Sequence, residues 1–322
     1  MNVIETKSLT KSYGKARGIV DLTLSVEQGE WFGFIGPNGA GKSTTIRTLL
    51  GLIFPSSGSA KVLGLDVVKQ KEEILRRTGY LPSEALFYPG MRVRDILKFS
   101  ADLRKKDCSK TAAALCDRLQ LDVSRKVDEL SFGNRKKVAI VTALQSKPEL
   151  LILDEPTSGL DPLMQHEFFE IIREYNKEGA TVFVSSHILP EIQRNCDRAG
   201  VIREGRLIAC DSVEALGRSS AKRVSFRGNA SVDGLAGIKD ISVQGETRSF
   251  LYSGDINALI GRLSGGSLKD LTITDPDLDE IFMHFYGSNA DKKAAQEPEF
   301  DDSSREAKTQ EPGTSTAGKE EK

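Results

Sequence analysis

The sequence predicts an α/β fold with a largely parallel sheet from Met1 to about Leu216, and three observations predict it. Short apolar runs alternate with glycine-rich turns and stretches of helical periodicity. Glu30–Ile35, EWFGFI, reads as a buried strand that runs into a glycine-rich loop and then a helix over Thr44–Leu50. Farther on, Leu150–Leu153 is a second wholly apolar strand, and it ends in the adjacent carboxylates Asp154 and Glu155.

The 322 residues allow one large domain or two smaller ones, and 39% hydrophobic with 28% charged residues is the composition of a soluble globular protein. Lys and Arg number 45 against 46 Asp and Glu, a net charge of −1, which is far from the basic balance of a nucleic-acid-binding protein. No stretch reaches the ~18 consecutive apolar residues of a membrane-spanning helix. The N-terminus, MNVIETKSLTKSYG, lacks an apolar core of signal-peptide length, so the chain is expected to stay in the cytosol. Cys108, Cys116, Cys196 and Cys210 form neither a C-x-x-C pair nor zinc-finger spacing and read as reduced thiols.

Between the first strand and helix, Gly36-Pro37-Asn38-Gly39-Ala40-Gly41-Lys42-Ser43 matches G-x-x-x-x-G-K-[ST]. Gly36, Gly39 and Gly41 carry no side chain, so backbone N–H groups can close around phosphate oxygens while the helix N-terminus adds its positive dipole end. Lys42 reaches toward the β- and γ-phosphates, and the Ser43 hydroxyl is placed to ligate Mg²⁺. The loop alone does not separate GTPase, kinase and motor. In the strand Leu150–Asp154 the chemistry narrows: Asp154 can hold the shell of Mg²⁺, and Glu155 can orient and polarise an attacking water.

Several further motifs follow in order. LSFGN at Leu130–Asn134 resembles the LSGGQ signature of the nucleotide-binding subunits of ATP-binding cassette (ABC) transporters, and SGLD at Ser158–Asp161 resembles their D-loop. His187, after the strand Thr181–Val184, resembles their switch histidine, and Tyr13 in KSYG resembles the aromatic that stacks on adenine. The resemblance covers roughly Ile4 to Leu207. GTPases and small-molecule kinases lack the signature and the D-loop. At the C-terminus, LTITDPDLDEIFMHFYG is similar to the segment that ends many ATPases partnered with the ABC-2 group of exporters.

The resemblance implies a P-loop NTPase core of ABC ATPase type with a helical subdomain at about Ala85–Gln145. It also implies a sandwich dimer of two copies, or of this chain and a paralogous ATPase subunit. In it Lys42, Ser43 and Asp154 of one subunit, with Ser131 and Gly133 of the other, enclose each ATP with its Mg²⁺, and Thr44 and Asp161 count among the nucleotide-binding residues. Ser131 and Gly133 precede a helix expected over Asn134–Leu144, whose N-terminus would direct its dipole at the opposite γ-phosphate. Glu155, His187 and Lys42 carry the hydrolysis.

Two departures from the family pattern stand out. Phe132 occupies a usual glycine and Asn134 a usual glutamine, and Ser83 follows Gly79-Tyr80-Leu81-Pro82 where a metal-contacting glutamine is expected. A serine reaches Mg²⁺ only through water, and neighbouring Glu84 is the alternative ligand. His166 and His284 sit on helix-like segments and receive no role. Arg104-Lys105-Lys106 reads as a solvated helix end in preference to a lipid contact. Leu86, Phe87 and Tyr88 read as lining for a groove that receives a coupling helix of a membrane subunit, or as core.

After Leu216 the pattern changes to brief alternating segments, Arg223–Arg227, Ile238–Val243 and Ser249–Tyr252, with helix-like segments at Ile256–Leu263 and Leu278–Phe285. Asp275-Pro276 reads as the start of the second helix. A small α+β accessory domain is expected over residues 217–287. Residues 288–322 hold Phe300 as their only large apolar side chain and are expected to form a disordered tail.

Together these readings predict an ATPase subunit, peripheral on the cytoplasmic face of a membrane, that drives export through a separate multi-span permease. The alternative is a soluble ABC switch in translation or DNA repair. Against it, the chain has one phosphate-binding loop and no sustained heptads.

Overall fold

A computed structural model of the protein describes residues 1–14, 16–218 and 222–274. The chain opens with β1 (Asn2–Tyr13) and β2 (Ala16–Glu27), then β3 (Trp31–Ile35) enters the glycine loop and α1 (Lys42–Leu49). Next come β4 (Ser57–Val62), the two-residue β5 (Leu65–Asp66), α2 (Lys71–Arg77) and β6 (Thr78–Leu81). Three helices follow with no strand between them: α3 (Val93–Leu103), α4 (Ser109–Arg118) and α5 (Phe132–Leu144). The chain then alternates through β7 (Leu150–Asp154), α6 (Pro162–Lys177), β8 (Thr181–Ser186), α7 (Leu189–Asn195), β9 (Arg198–Arg203), β10 (Arg206–Ser212) and α8 (Val213–Arg218).

Six strands form the central sheet in the order β10-β9-β3-β8-β7-β6, parallel except for the antiparallel β10. Its inner strands are buried on both faces, as parallel strands between two layers must be. Alternation sorts them. Phe32, Phe34, Leu150, Ile152 and Phe183 join the core beneath β1, β2 and α1, whereas Trp31, Ile35, Leu151, Leu153, Val182 and Val184 join that of α3 to α6. The first core is closed by the antiparallel sheet β2-β1-β4-β5.

Two helix starts differ from the sequence reading. Helix α1 begins at Lys42, two residues before Thr44, because Gly41 at φ 110° turns the chain directly into it. Helix α5 begins at Phe132 instead of Asn134, because the Ser131 hydroxyl is its N-cap and accepts the Asn134 N–H at 3.3 Å. Gly133 therefore lies inside the first turn and not ahead of the helix.

In the basic run Arg104-Lys105-Lys106, which follows α3 directly, Lys105 and Lys106 are exposed as a solvated helix end requires, and Arg104 differs from it. Arg104 is half-buried and donates to the carbonyls of Leu75, Arg76 and Thr78 at 3.0–3.1 Å, closing the C-terminal end of α2. Lys106 donates to the carbonyl of Ser146. Burial lowers the affinity of Arg104 for its proton.

A third sheet is built from β11 (Lys222–Gly228), β12 (Ile238–Gln244), β13 (Thr247–Tyr252) and, after α9 (Ile256–Leu263), β14 (Leu268–Thr274). It is antiparallel in the order β12-β13-β11-β14. Val224, Phe226 and Phe250 pack with Leu259 and Leu263 of α9. Asp255 caps α9 by accepting the Asn257 N–H at 3.0 Å. The three alternating segments and the first helix are where the sequence places them, and β14 is additional. The helix expected over Leu278–Phe285 and the tail expected from residue 288 lie outside the described residues.

Candidate nucleotide-binding and hydrolysis site

The C-terminal ends of β3, β7 and β8 lie side by side, and the loops that leave them carry the chemistry. The loop after β3 has little room: a Cβ on Gly36 would come 2.3 Å from the carbonyl oxygen of Ile202. It curls around Lys42, whose ammonium donates to the carbonyls of Gly36 at 2.6 Å and Pro37 at 3.3 Å. Ala40 is buried and Asn38 and Gly39 are exposed, so the loop turns its outer arc to a pocket of about 420 Å³. Asn38, Gly39, Gly41, Lys42, Ser43 and Thr44 line one side of that pocket, and Ser83 and Glu155 the other.

Asp154 is 1% exposed and accepts two hydroxyl hydrogen bonds, from Ser43 at 2.8 Å and from Ser185 at 2.6 Å. The second follows from strand register, since Asp154 and Ser185 are direct partners across β7 and β8. Glu155 follows in the left-handed region at φ 47°, its N–H bonded to the carbonyl and the hydroxyl of Ser185 at 3.1 and 3.3 Å. That turn splits its carboxylate between two cations or donors: Oε1 stands 3.1 Å from the Lys42 ammonium, and Oε2 2.7 Å from His187 Nδ1. Lys42, Glu155 and His187 thus form one connected row, of which Lys42 and Glu155 line the pocket.

Behind this row, Glu191 of α7 accepts from Thr157 at 2.6 Å and from Ser186 at 2.8 Å, while the Ser186 hydroxyl receives the Ile188 N–H. The carboxylate thereby ties the chain after Glu155 to the turn that carries His187. From the helical side, the ammonium of Lys136 reaches the carbonyls of Pro82, Ser83 and Glu155 at 3.0–3.1 Å. Sequence reasoning missed Ser185, Ser186, Glu191 and Lys136. The two serines immediately before His187 were the one local signal available.

Four predicted residues lie neither in this pocket nor on the loop and strand ends that surround it. Tyr13 ends β1 half-exposed, with the Lys11 ammonium 5.2 Å above its ring. Ser131 and Gly133 sit at the start of α5 beside Gly159, whose carbonyl oxygen would be 2.7 Å from a Cβ on Gly133. Asp161 caps α6 by accepting the Met164 N–H at 3.0 Å. For a magnesium ion the donor chemistry fits. Ser43 and Asp154 offer two hard oxygens beside the phosphate loop, the partial set that suits an ion completed by phosphate and water.

A family profile described as ABC transporter matches residues 19–158. The bacitracin transport ATP-binding protein BcrA of Bacillus licheniformis is 40% identical over 229 residues, 70% of this chain and 74% of that protein. The Nod factor export ATP-binding protein I of Rhizobium etli is 31% identical over 310 residues, 91% of this chain and 96% of its own. A solved structure of an ATP binding subunit of an ABC transporter superposes with a TM-score of 0.64 at 31% identity, over 67% of this chain and 92% of that one. At this identity and coverage the chain belongs to the ABC transporter family, as one of its ATP-binding, ATP-hydrolysing subunits.

Proposed function

We propose that two copies of this chain, or one copy and a paralogous subunit, close on two MgATP and that hydrolysis reopens them, driving export through a separate membrane permease. The observation that carries this reading is the incomplete pocket. Loop, magnesium oxygens, carboxylate and histidine meet in one place, whereas Ser131 and Gly133 stand elsewhere on the same chain, available to a second pocket. In this reading Asp161 meets the partner at the same face, and Tyr13 supports the adenine.

A triphosphate entering the pocket takes the backbone N–H groups of Gly39, Gly41, Lys42 and Ser43 and competes with Glu155 for the Lys42 ammonium. Ser43 and Asp154 would hold a magnesium ion, which would neutralise charge on the phosphates, and Ser83 would reach it only through water. Glu155, freed toward the water and oriented by His187 Nδ1, accepts hydrogen bonding from the attacking water and then its proton. The products are ADP and phosphate. Lys42 and His187 offset the charge that gathers on the transferred group.

Leu86 is 86% exposed and Tyr88 73%, three and five residues beyond Ser83, so this loop is the proposed docking surface for the permease. We place the ATP-binding domain at residues 1–216, its helical subdomain at 85–145 and the accessory α+β domain at 217–287. No helix among the described residues is long and apolar enough to cross a membrane, and the chain is proposed to sit peripherally on the cytoplasmic face. The relatives named above serve bacitracin transport and Nod factor export, which favours an export motor over the soluble-switch reading.

The test is purification of a tagged chain from its native host in mild detergent, with stoichiometric partners identified by mass spectrometry. A polytopic protein is expected. Ribosomal or DNA-repair proteins alone at stoichiometric levels would overturn the transport reading.

A further inference from the structure

Lys136 lies on α5, five residues after its Ser131 cap, and is 2% exposed. A lysine ammonium has three donors, and here each has a carbonyl: Pro82 at 3.0 Å, Ser83 at 3.1 Å and Glu155 at 3.1 Å. None of the three acceptors carries a charge, and the nearby carboxylates of Asp154 and Glu155 already have Ser43, Ser185, Lys42 and His187. Burial pulls the ammonium down to about 8, and the two carboxylates only partly restore it.

Such a group is a poor choice for stability alone, because an apolar side chain of similar volume would fill the site without desolvating a charge. What the ammonium does hold is a particular backbone. Glu155 is a non-glycine residue at φ 47°, a strained conformation that persists only where neighbours over-determine it. Ser185 fixes its N–H side, and Lys136 fixes its carbonyl side. The same ammonium grips Ser83, on the chain that leads from β6 into the helices. The Ser83 side chain is too short for the contact a glutamine would make there, but Lys136 reaches its backbone instead.

We infer that Lys136 is a positioning residue for hydrolysis: it joins the backbone of Ser83 to that of Glu155 and so makes the aim of the water-activating carboxylate depend on the placement of the helical segment. The inference rests on the proposed role of Glu155 and adds to it a mechanical link that strand and loop motifs do not contain. Movement of the Ser83 segment is transmitted through three hydrogen bonds to the turn that directs Glu155 at Lys42 and His187.

The experiment compares the full-length wild type with Lys136→Met, Lys136→Gln and Glu155→Gln, reading kcat, affinity for a fluorescent ATP analogue and the thermal midpoint. Lys136→Met removes all three donors while keeping an unbranched apolar stem. Its kcat is expected to fall about ten- to a hundredfold, with nucleotide affinity within about twofold of wild type. Lys136→Gln keeps an amide donor pair and is expected to recover part of that loss at the same affinity. A Lys136→Met protein with wild-type kcat, or with kcat and affinity falling in proportion, would overturn the inference. Should Lys136→Met fail to fold, Lys136→Gln decides by the same split, and wild-type kcat in it overturns the inference. Absence of turnover in the wild type itself, or full turnover in Glu155→Gln, would instead remove the Glu155 reading on which the inference stands.

Discussion

The ring of Phe132 lies directly over Gly159: a Cβ at Gly159 would stand 2.2 Å from Phe132 Cε1 and 2.3 Å from Cδ1. The first turn of α5 and the Ser158–Asp161 segment therefore touch within one chain, through the residue that departs from the usual glycine of the signature. Gly159 adopts φ 82°, so it is a glycine for two independent reasons, backbone and space.

These two reasons separate in a double-mutant cycle. Gly159→Ala alone forces the ring away and strains the backbone, and it is expected to lower both stability and turnover. In a Phe132→Ala background only the backbone cost remains, about 1 kcal/mol. Chemical denaturation of the four proteins measures the coupling. Additive effects would mean that the ring yields freely and that the contact transmits nothing.

Lys42 is buried against the Gly36 and Pro37 carbonyls and Glu155, so its ammonium is part of the loop's own architecture as well as the proposed phosphate ligand. Lys42→Ala is expected to weaken ATP binding by at least about tenfold, measured by calorimetry, because a charge-assisted phosphate contact contributes about 1.5–3 kcal/mol. Affinity equal to wild type would contradict the cradle.

Glu155→Gln keeps the shape and the His187 contact but removes the proton acceptor. Turnover is expected to fall by about 10²–10⁴ while ATP binding is retained, and ATP should then drive the chain into a dimer visible by light scattering. Appreciable residual turnover would assign water activation to another group.

How much of this was legible before any coordinates depended on the range of the interaction. The phosphate loop, Asp154, Glu155 and His187 announce themselves because loop geometry and strand ends are local properties of the chain. Ser185 does not, since its bond to Asp154 exists only through the parallel register of β7 and β8. Lys136 and Glu191 are further examples: charged residues on helices read as solvated until packing places them over a backbone carbonyl or between two hydroxyls. The fold was readable from the apolar strands β3 and β7, whereas β14, exposed along most of its length, lacks the buried alternation that marks a strand. The Gly133 placement failed because the Ser131 cap starts α5 earlier than the glycines imply.

Ser83 lines the pocket proposed for the nucleotide while its carbonyl is held by Lys136, so its side chain and backbone face different neighbours. Ser83→Gln leaves the backbone bond in place and brings an amide to the pocket. ATPase rate is expected to change, and the dependence of that rate on the membrane partner with it, at unaltered ATP affinity. Identical kinetics with and without the partner in both proteins would show that the position has no part in coupling.

Arg104 separates a structural from a membrane role for the basic run. Its guanidinium donates to three carbonyls at the end of α2 and the start of β6, those of Leu75, Arg76 and Thr78. Those carbonyls are the orphan acceptors that a helix C-terminus leaves, and a cation there also meets the negative end of the dipole. Lys106 is similarly engaged at the Ser146 carbonyl. Arg104→Met keeps the aliphatic stem but leaves the acceptors without a donor, which costs about 1–3 kcal/mol. For a domain of this size that corresponds to a fall of several degrees in thermal midpoint, and binding to anionic vesicles should not change. A variant with wild-type stability but weakened vesicle binding would return the run to the lipid reading. The expected result makes it a brace between α2 and the helical segment, holding the chain that leads from β6 to Ser83 at a fixed distance from α3.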